Sequence, residues 1–206
     1  MSEMRYTHYV YEDETWFTFD PKNTATSAKV WIPRNAPRPQ IPSSRLTPRK
    51  CLVLIAMTAD LHVSVETLPY GESINGEVYK KFVWNTGEKW RKLRHNPLRL
   101  KDVVWQHDNA RPHVAHNVQE FFQTRGVQIQ HQSPYSPDLN LCDRFINDYI
   151  KQELRDQSFS NHDEVRVAVD SCLRSLSTAK LRHEVDKLMV HCERIVACGG
   201  GWVTPN

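Results

Sequence analysis

The spacing of apolar residues along the chain predicts several strands. Residues 5–19 are rich in aromatic and β-branched side chains, residues 51–58 form a continuous apolar run, and residues 62–68 alternate apolar with polar positions. These three segments are typical of strands, and the last two are expected to pair as a hairpin. Two shorter strands are predicted at residues 103–106 and 127–132.

Apolar residues also recur at the helical period in five segments. The first apolar positions of these segments are Ile74, Val114, Cys142, Val165 and Leu181. Glycines at 126 and 199 follow two of them, as expected where helices end. The resulting order of strands and helices predicts an α/β fold, with a mixed central sheet covered by helices.

A proline-rich basic segment follows the first strand, between residues 21 and 50. It holds six of the 12 prolines and no acid, so it cannot sustain a regular hydrogen-bonded ladder. Its cations include Lys22, Lys29, Arg34, Arg38, Arg45, Arg49 and Lys50. We expect an extended arm or long loop, whose charge needs an anionic neighbour or solvent.

Composition and charge restrict the class of protein. With 206 residues, of which 39% are hydrophobic and 25% charged, the chain is expected to form one globular domain over residues 1–206. The net charge of +3 is too small to establish nucleic-acid binding by itself. The longest apolar run is far shorter than the roughly 20 residues that span a bilayer, so no membrane span is expected. Five scattered cysteines without a paired motif predict reduced thiols in an intracellular protein.

Two acids stand at positions where a mixed sheet exposes functional groups. Asp13 lies in the first predicted strand, and Asp108 directly follows the strand at 103–106. If these strands are neighbours, the two carboxylates repel each other unless a cation lies between them, and oxygen ligands favour Mg²⁺ or Mn²⁺. A third acid would complete a two-metal site. The candidates are Asp138, Asp143 and Asp148. Each acid also has a plain interpretation as a turn or capping residue.

Three ordered motifs resemble the catalytic core of mariner-type DNA transposases. They are EDETW at 12–16, HDNARPH at 107–113 and YSPDL at 135–139, followed by Asp143. Between Asp108 and Asp143 lie 34 residues, the spacing characteristic of the mariner branch, whereas Asp138 would give 29 and Asp148 would give 39. The resemblance spans about residues 9–201. It selects Asp13, Asp108 and Asp143 as the catalytic metal ligands.

The resemblance implies a ribonuclease-H-like fold in which these carboxylates hold two Mg²⁺ or Mn²⁺ ions that cut and rejoin DNA. It further implies a nuclear transposase that binds double-stranded transposon ends, forms a homodimer on DNA and inserts at a TA target. The basic arm occupies the place of the family's clamp loop, so the resemblance implies that it projects from the core and packs on a partner chain or on DNA. The family's N-terminal helix-turn-helix modules have no counterpart in this sequence, so we expect a fragment or a decayed or repurposed copy.

Residues beside the motifs leave several interpretations open. The candidates for supporting the metal ligands or a phosphate are Glu14, Asn109, His113 and Arg144. Arg144 departs from the family pattern and is expected to pair with Asp143 or with a phosphate. The histidines at 107, 113, 116 and 131 suggest a zinc site, but hydrogen-bonded or solvated histidines are the more economical interpretation.

Two further features allow more than one function. The cations of residues 89–101 suit phosphate contacts, although they also suit a solvated helix face. A non-catalytic descendant that binds DNA or dimerises would retain the same fold. An RNA-cleaving ribonuclease of this fold is disfavoured by the mariner spacing. Metal-dependent nicking of supercoiled DNA separates these functions.

Overall fold

Five strands form one mixed sheet in the computed structural model, which describes residues 8–19, 33, 37, 49–201 and 203. The strands are β1 (Tyr9–Thr18), β2 (Lys50–Met57), β3 (Val63–Leu68), β4 (Val104–His107) and β5 (Gln128–His131). The helices are α1 (Gly76–Arg91), α2 (His116–Arg125), α3 (Asn147–Glu153), α4 (His162–Arg174) and α5 (Thr178–Ala197). Their order is the one that the apolar pattern predicts.

The strands lie side by side in the order β3-β2-β1-β4-β5. The predicted hairpin of β2 and β3 is confirmed, and β1 also pairs antiparallel with β2. On its other side β1 pairs parallel with β4, and β4 pairs parallel with β5. The strand that carries Asp13 is therefore a neighbour of the strand that precedes Asp108.

Alternating side chains of the strands enter two separate cores, as the two-residue period of a strand requires. On β2, Val53 and Ile55 pack with residues of α3, α4 and α5. The intervening Leu54 and Ala56 pack on the opposite face, with residues of α1 and α2. Both faces of the sheet are thus covered by helices, which confirms the predicted fold class.

Side-chain caps and a glycine set the helix boundaries. Asn75 begins α1, because its side chain accepts hydrogen bonds from the backbone amides of Glu77 and Val78. Gly126 ends α2 in the left-handed conformation, with φ at 67°. The apolar pattern placed Val114 in α2, but the helix begins two residues later and Val114 is exposed.

The helix predicted around Cys142 begins with a π-helical turn, Cys142–Ile146, and continues as α3. The backbone amide of Asn147 donates to the carbonyl of Cys142, five residues earlier. Such wide turns are rare in proteins, and those that do occur are frequently found at functional sites. The turn carries Asp143 in its first half.

The predicted arm falls almost entirely on residues that the structure does not describe. Lys22, Lys29, Arg34, Arg38 and Arg45 lie outside the described residues. Within the described part, Pro33 and Pro37 are exposed. The projection of the arm and its contacts with a partner or DNA therefore stay predictions.

The structure describes all five cysteines, and the membrane prediction can be examined in the described part of the chain. All five cysteines are free thiols, as expected from their number and spacing. Among the described helices none is both long and apolar enough to cross a bilayer.

Gly87 allows α1 to pack closely on the short 3-10 turn that carries Leu100. A Cβ atom at position 87 would lie 2.3 Å from Cγ of Leu100 and under 3 Å from both of its Cδ atoms. Gly87→Ala should therefore lower the free energy of unfolding by about 1–3 kcal/mol, despite the better helix propensity of alanine. Denaturant unfolding measures this change. The exposed Asn85→Ala on the same helix is the control and should be neutral or slightly stabilising.

Candidate active site

The three acids selected from the sequence come from three elements that meet at one end of the sheet. Tyr11 of β1 is the register partner of Gln106 in β4, so Asp13 and Asp108 each lie two residues further along parallel strands. Asp143 approaches from the π-helical turn that follows the 3-10 turn Pro137–Leu139. The three acids therefore lie on adjoining elements at this end of the sheet, and Asp143 is close enough to Asp13 and to Asp108 for their charges to interact.

Asp13 and Asp143 are the most tightly coupled pair of the three. Each carboxyl group acts on the pKa of the other, and Nδ2 of Asn147 donates to Oδ2 of Asp13 at 2.8 Å. Burial, with the nearby Asp143, raises the pKa of Asp13 to about 7. Burial also raises the pKa of Asp143. Both shifts favour the neutral carboxyl, and a cation bound between the two groups would favour the ionised forms instead.

A cleft of about 370 Å³ gives solvent access to two of these carboxylates. Its lining includes Asp108, Asn109, Asp143 and the loop of residues 132–137. All ligand atoms that the three acids offer are carboxylate oxygens, the donor type that Mg²⁺ and Mn²⁺ prefer. The donor set therefore fits a divalent metal of that class.

Two side-chain amides fasten the segment before Asp143 to the sheet. Nε2 of Gln106 donates to the carbonyl of Leu139 at 2.8 Å, and Nδ2 of Asn140 donates to the carbonyl of Glu12 at 2.9 Å. Asn140 is fully buried, and its Oδ1 accepts from the amide of Cys142. These bonds fix where the π-helical turn begins and thus where Asp143 points.

Sequence reasoning missed the roles of Asn140 and Asn147. A signal for Asn147 was available, because it follows Asp143 by four residues and a helix places such residues on one face. No comparable signal existed for Asn140, whose partner Glu12 is 128 residues away.

His113 joins Asp108 to Glu14 through its two ring nitrogens. Nδ1 lies 2.8 Å from Oδ1 of Asp108, and Nε2 lies 2.7 Å from Oε1 of Glu14. Burial opposes the charged imidazole, but the hydrogen bonds to both carboxylates outweigh it and raise the pKa of His113 to about 11. The bond from His113 in turn lowers the pKa of Asp108. His113 is therefore a cation that orients Asp108 and keeps it ionised.

The other two residues expected to support the site have backbone partners. Nδ2 of Asn109 donates to the carbonyl of Gln132 at 2.7 Å and so ties the loop after β4 to the loop after β5. Nη1 of Arg144 donates to the carbonyl of Asp138 at 3.3 Å. The expected pairing of Arg144 with Asp143 is thus replaced by a contact with the preceding turn.

Asp138 is not simply a helix-start residue, as its sequence context suggested. Its Oδ2 lies 2.7 Å from Nε2 of His191, which is buried in α5. This contact attaches the last helix to the 3-10 turn before Asp143. Asp138 thus supports the backbone near the site and does not compete with Asp143.

The four histidines suggested as a zinc set do not all meet. His107 and His113 lie with ring centroids 5.0 Å apart, close to the buried Glu12. His116 and His131 are exposed, at the start of α2 and the end of β5. The four-histidine site is therefore wrong, although two of its members do come together.

Several cations of the described part have local partners. Nζ of Lys50 lies 4.0 Å from the ring centroid of Trp16, and Nη2 of Arg49 donates to the carbonyl of Ser160 at 3.0 Å. In the 89–101 stretch, Lys89 pairs with Asp170 and Arg91 with Glu88. Binding of DNA by any of these side chains stays a prediction.

Asp13→Asn should stabilise the metal-free protein. The amide removes a buried charge and offers Asp143 a permanent N–H donor, while its oxygen still accepts from Asn147. At about 1.4 kcal/mol per pKa unit, and allowing for relaxation around the site, we expect the free energy of unfolding to rise by roughly 1–3 kcal/mol at pH 8 in EDTA. Thermal or denaturant unfolding measures the change.

The pH dependence provides a second readout of the same variant. The pKa of Asp13 lies above its ordinary value of 3.8, at about 7, so the wild type should lose stability as the pH rises between these values. Asp13→Asn should lack this contribution. The exposed Asp148→Asn is the control and should stay within about 0.5 kcal/mol of the wild type. A destabilised Asp13→Asn variant would contradict the coupled pair.

Comparison with known proteins finds sequences similar to this chain over most of its length. No known family profile matches the chain. The human protein Histone-lysine N-methyltransferase SETMAR is 27% identical over 190 residues, which cover 92% of this chain and 27% of SETMAR. Mariner Mos1 transposase of Drosophila mauritiana is 23% identical over 193 residues, which cover 93% of this chain and 55% of Mos1. The chain thus spans about a quarter and about half the length of these two relatives.

Solved structures of Mos1 transposase are also similar to this chain in fold. The Mos1 mariner paired end complex with Mn superposes with a TM-score of 0.78 at 23% identity, over 96% of this chain and 57% of that one. The catalytic domain of Mos1 mariner transposase superposes with a TM-score of 0.72 at 21% identity, over 96% of this chain and 85% of that one. In sequence the chain is similar to SETMAR and to Mariner Mos1 transposase, and its fold is that of the Mos1 catalytic domain.

Proposed function

We propose that this chain is a metal-dependent DNA strand-cleaving and strand-transferring domain. The observation that carries the proposal is the convergence of Asp13, Asp108 and Asp143 from β1, the end of β4 and the π-helical turn. The solved relatives include Mos1 complexes with Mn, with Mg and with a left transposon end. These relatives support divalent metal and double-stranded DNA as the partners of this chain.

The residues of the site have separate tasks in this proposal. Asp13, Asp108 and Asp143 would hold the divalent ions, and two such ions supply stabilisation of the attacking and leaving oxygens in a phosphodiester displacement. Asn147 orients Asp13 through the 2.8 Å hydrogen bond, and His113 orients Asp108. The cleft beside Asp108 and Asp143 is open to solvent and can admit a DNA backbone.

The finer features of the proposal derive from the motif resemblance to mariner-type transposases. On that resemblance, we propose that the substrate is a pair of transposon ends, that the complex is a homodimer on DNA, that the insertion target is TA and that the reaction takes place in the nucleus. The cations of the arm and of residues 49–50 are the proposed phosphate contacts.

One relative favours a second candidate function. SETMAR carries its matching segment within a protein named for a histone-lysine methyltransferase activity. The same fold therefore also occurs in a protein named for different chemistry. The alternative is a non-catalytic module that binds DNA or dimerises.

A nicking assay on supercoiled plasmid distinguishes the two functions. The purified chain should convert the plasmid to nicked and linear forms in Mg²⁺ or Mn²⁺, and EDTA should stop the reaction. DNA binding measured in parallel by gel shift is the control for a competent protein. Binding without any metal-dependent product would reject the enzyme and favour the non-catalytic module.

A further inference from the structure

A second group of potential metal ligands lies beside the carboxylate site, among the side chains that β1 and β4 direct toward α1 and α2. One ligand atom from each of Glu12, His107 and His113 lies within 4.8 Å of the others. All three side chains are at least nine-tenths buried, with relative exposures of 0%, 5% and 1%. The group contains two imidazoles and one carboxylate, unlike the all-oxygen set of Asp13, Asp108 and Asp143.

Two atoms of this group have no partner within the described part of the protein. Oε1 of Glu12 and Nδ1 of His107 are buried and make no hydrogen bond. Buried polar atoms are almost always paired, because leaving them unpaired costs their solvation without return. Two such atoms in the same small cluster indicate that these side chains are arranged to bind a ligand.

We propose that Glu12, His107 and His113 bind one Zn²⁺ ion. Two histidine nitrogens and one glutamate oxygen are a recurrent protein ligand set for this metal, with a fourth position left for water. The surroundings also favour a cation, since Glu14 and Asp108 both contact His113. The carboxylates of Glu12, Glu14 and Asp108 outnumber the two imidazoles, and a divalent ion would offset their negative charge.

The residues around the group match the outer shell of a zinc site. Oε2 of Glu12 accepts from the hydroxyl of Tyr79 at 2.9 Å, which in turn accepts from Nε1 of Trp105 at 3.1 Å. Such hydrogen bonds orient ligating carboxylates, and ligating histidines usually donate their other N–H to a carboxylate. His113 has a carboxylate on each ring nitrogen, so zinc would replace the proton and the carboxylate at one nitrogen while the other nitrogen stays on Asp108 or Glu14.

A cavity provides a path to the group. It has a volume of about 350 Å³, and its lining includes His107, His113 and Asp108. It lies on the side of α2 and β5, where Phe122 and Ile129 also line it. The cavity therefore leads to the two histidines of the group, and Glu12 lies behind them.

Metal binding by the purified chain tests the proposal without reference to DNA cleavage. After removal of metal with EDTA and dialysis, the wild type should take up one equivalent of Zn²⁺. Titration with Co²⁺ should give the intense visible bands of a four-coordinate nitrogen and oxygen site. Glu12→Gln and His107→Gln should each weaken Zn²⁺ binding by more than the roughly 10- to 100-fold that outer-shell changes cost.

Two matched controls separate this site from its neighbours. His131→Gln, which lines the same cavity outside the group, and Asp143→Asn, which alters the carboxylate site, should both keep Zn²⁺ binding. Zinc X-ray absorption of the wild type should report imidazole ligands, and this readout does not depend on the folding of any variant. The proposal is overturned if the wild type takes up no zinc, if no imidazole is detected, or if Asp143→Asn removes binding while Glu12→Gln keeps it. A failed nicking assay would leave these results unaffected.

Discussion

Asp108→Asn should reduce metal-dependent strand cleavage by at least about 10³-fold, since the charge that holds the metal contributes several kcal/mol to the barrier at about 1.4 kcal/mol per tenfold. The asparagine oxygen can still accept from the amide of Ala110, which lies 2.8 Å from Oδ1 in the wild type. The fold should therefore persist. Plasmid nicking rates in Mg²⁺ and Mn²⁺ measure the loss, and circular dichroism checks the fold.

Asp148→Asn is the matched control for this experiment. Asp148 is an acid of the same segment that would give the wrong spacing, and its side chain is exposed. It should cleave at the wild-type rate. An Asp108→Asn protein that nicks DNA at an undiminished rate would remove Asp108 from the site and reject the assignment made from the mariner spacing.

His113→Phe should produce the largest loss of stability among the changes considered. The phenyl ring can keep the contact with Tyr79, whose ring centroid is 4.1 Å away, but it leaves Glu14 and Asp108 without their cation. Removing one partner of a buried ion pair costs about 3–5 kcal/mol. Because Asp108 is 46% exposed and can be hydrated, we expect about 2–4 kcal/mol here.

Denaturant unfolding in EDTA measures this effect apart from any bound metal. His116→Phe, at an exposed histidine three residues later, should change stability by no more than about 0.5 kcal/mol. Adding Glu14→Gln to His113→Phe should recover part of the loss, because it removes the less exposed of the two unpaired charges. A loss below about 1 kcal/mol would show that the His113 bridge contributes little beyond an ordinary surface pair.

The fold class could be predicted from the sequence because the apolar patterns of strands and of helices differ clearly. Apolar positions run continuously through β2, alternate with polar ones in β3, and recur every three to four residues in α1, α4 and α5. Each pattern records which side chains of a segment face a core, so it can be recognised within that segment alone. Boundaries were less accurate at α2, where the exposed Val114 continues the apolar pattern outside the helix.

Long-range polar partners could not be predicted in the same way. Glu12 looks like a solvent-exposed acid beside Asp13, yet it is fully buried and accepts from Tyr79, 67 residues away. The partner of such a group depends on strand register and on how α1 crosses the sheet. Neither property is visible in a local pattern. The same applies to the contact between Asp138 and His191.

The π-helical turn is a further feature without a local signal. A residue pattern of period 3.6 predicts an ordinary helix around Cys142, and the pattern changes little when one turn widens. The widening is set by tertiary contacts, in which Gln106 and Asn140 fix the preceding segment to the sheet. The identity of Asp143 could be predicted from the motif, whereas the turn that presents it could not.

The most direct test of the metal site is an anomalous diffraction experiment on crystals soaked in Mn²⁺. We expect two anomalous peaks roughly 3.5–4 Å apart, bounded by the carboxylates of Asp13, Asp108 and Asp143. Crystals of Asp108→Asn should show a weakened or missing peak at the same place. A map in which wild-type crystals bind manganese elsewhere on the protein, with no peak among these three carboxylates, would contradict the account.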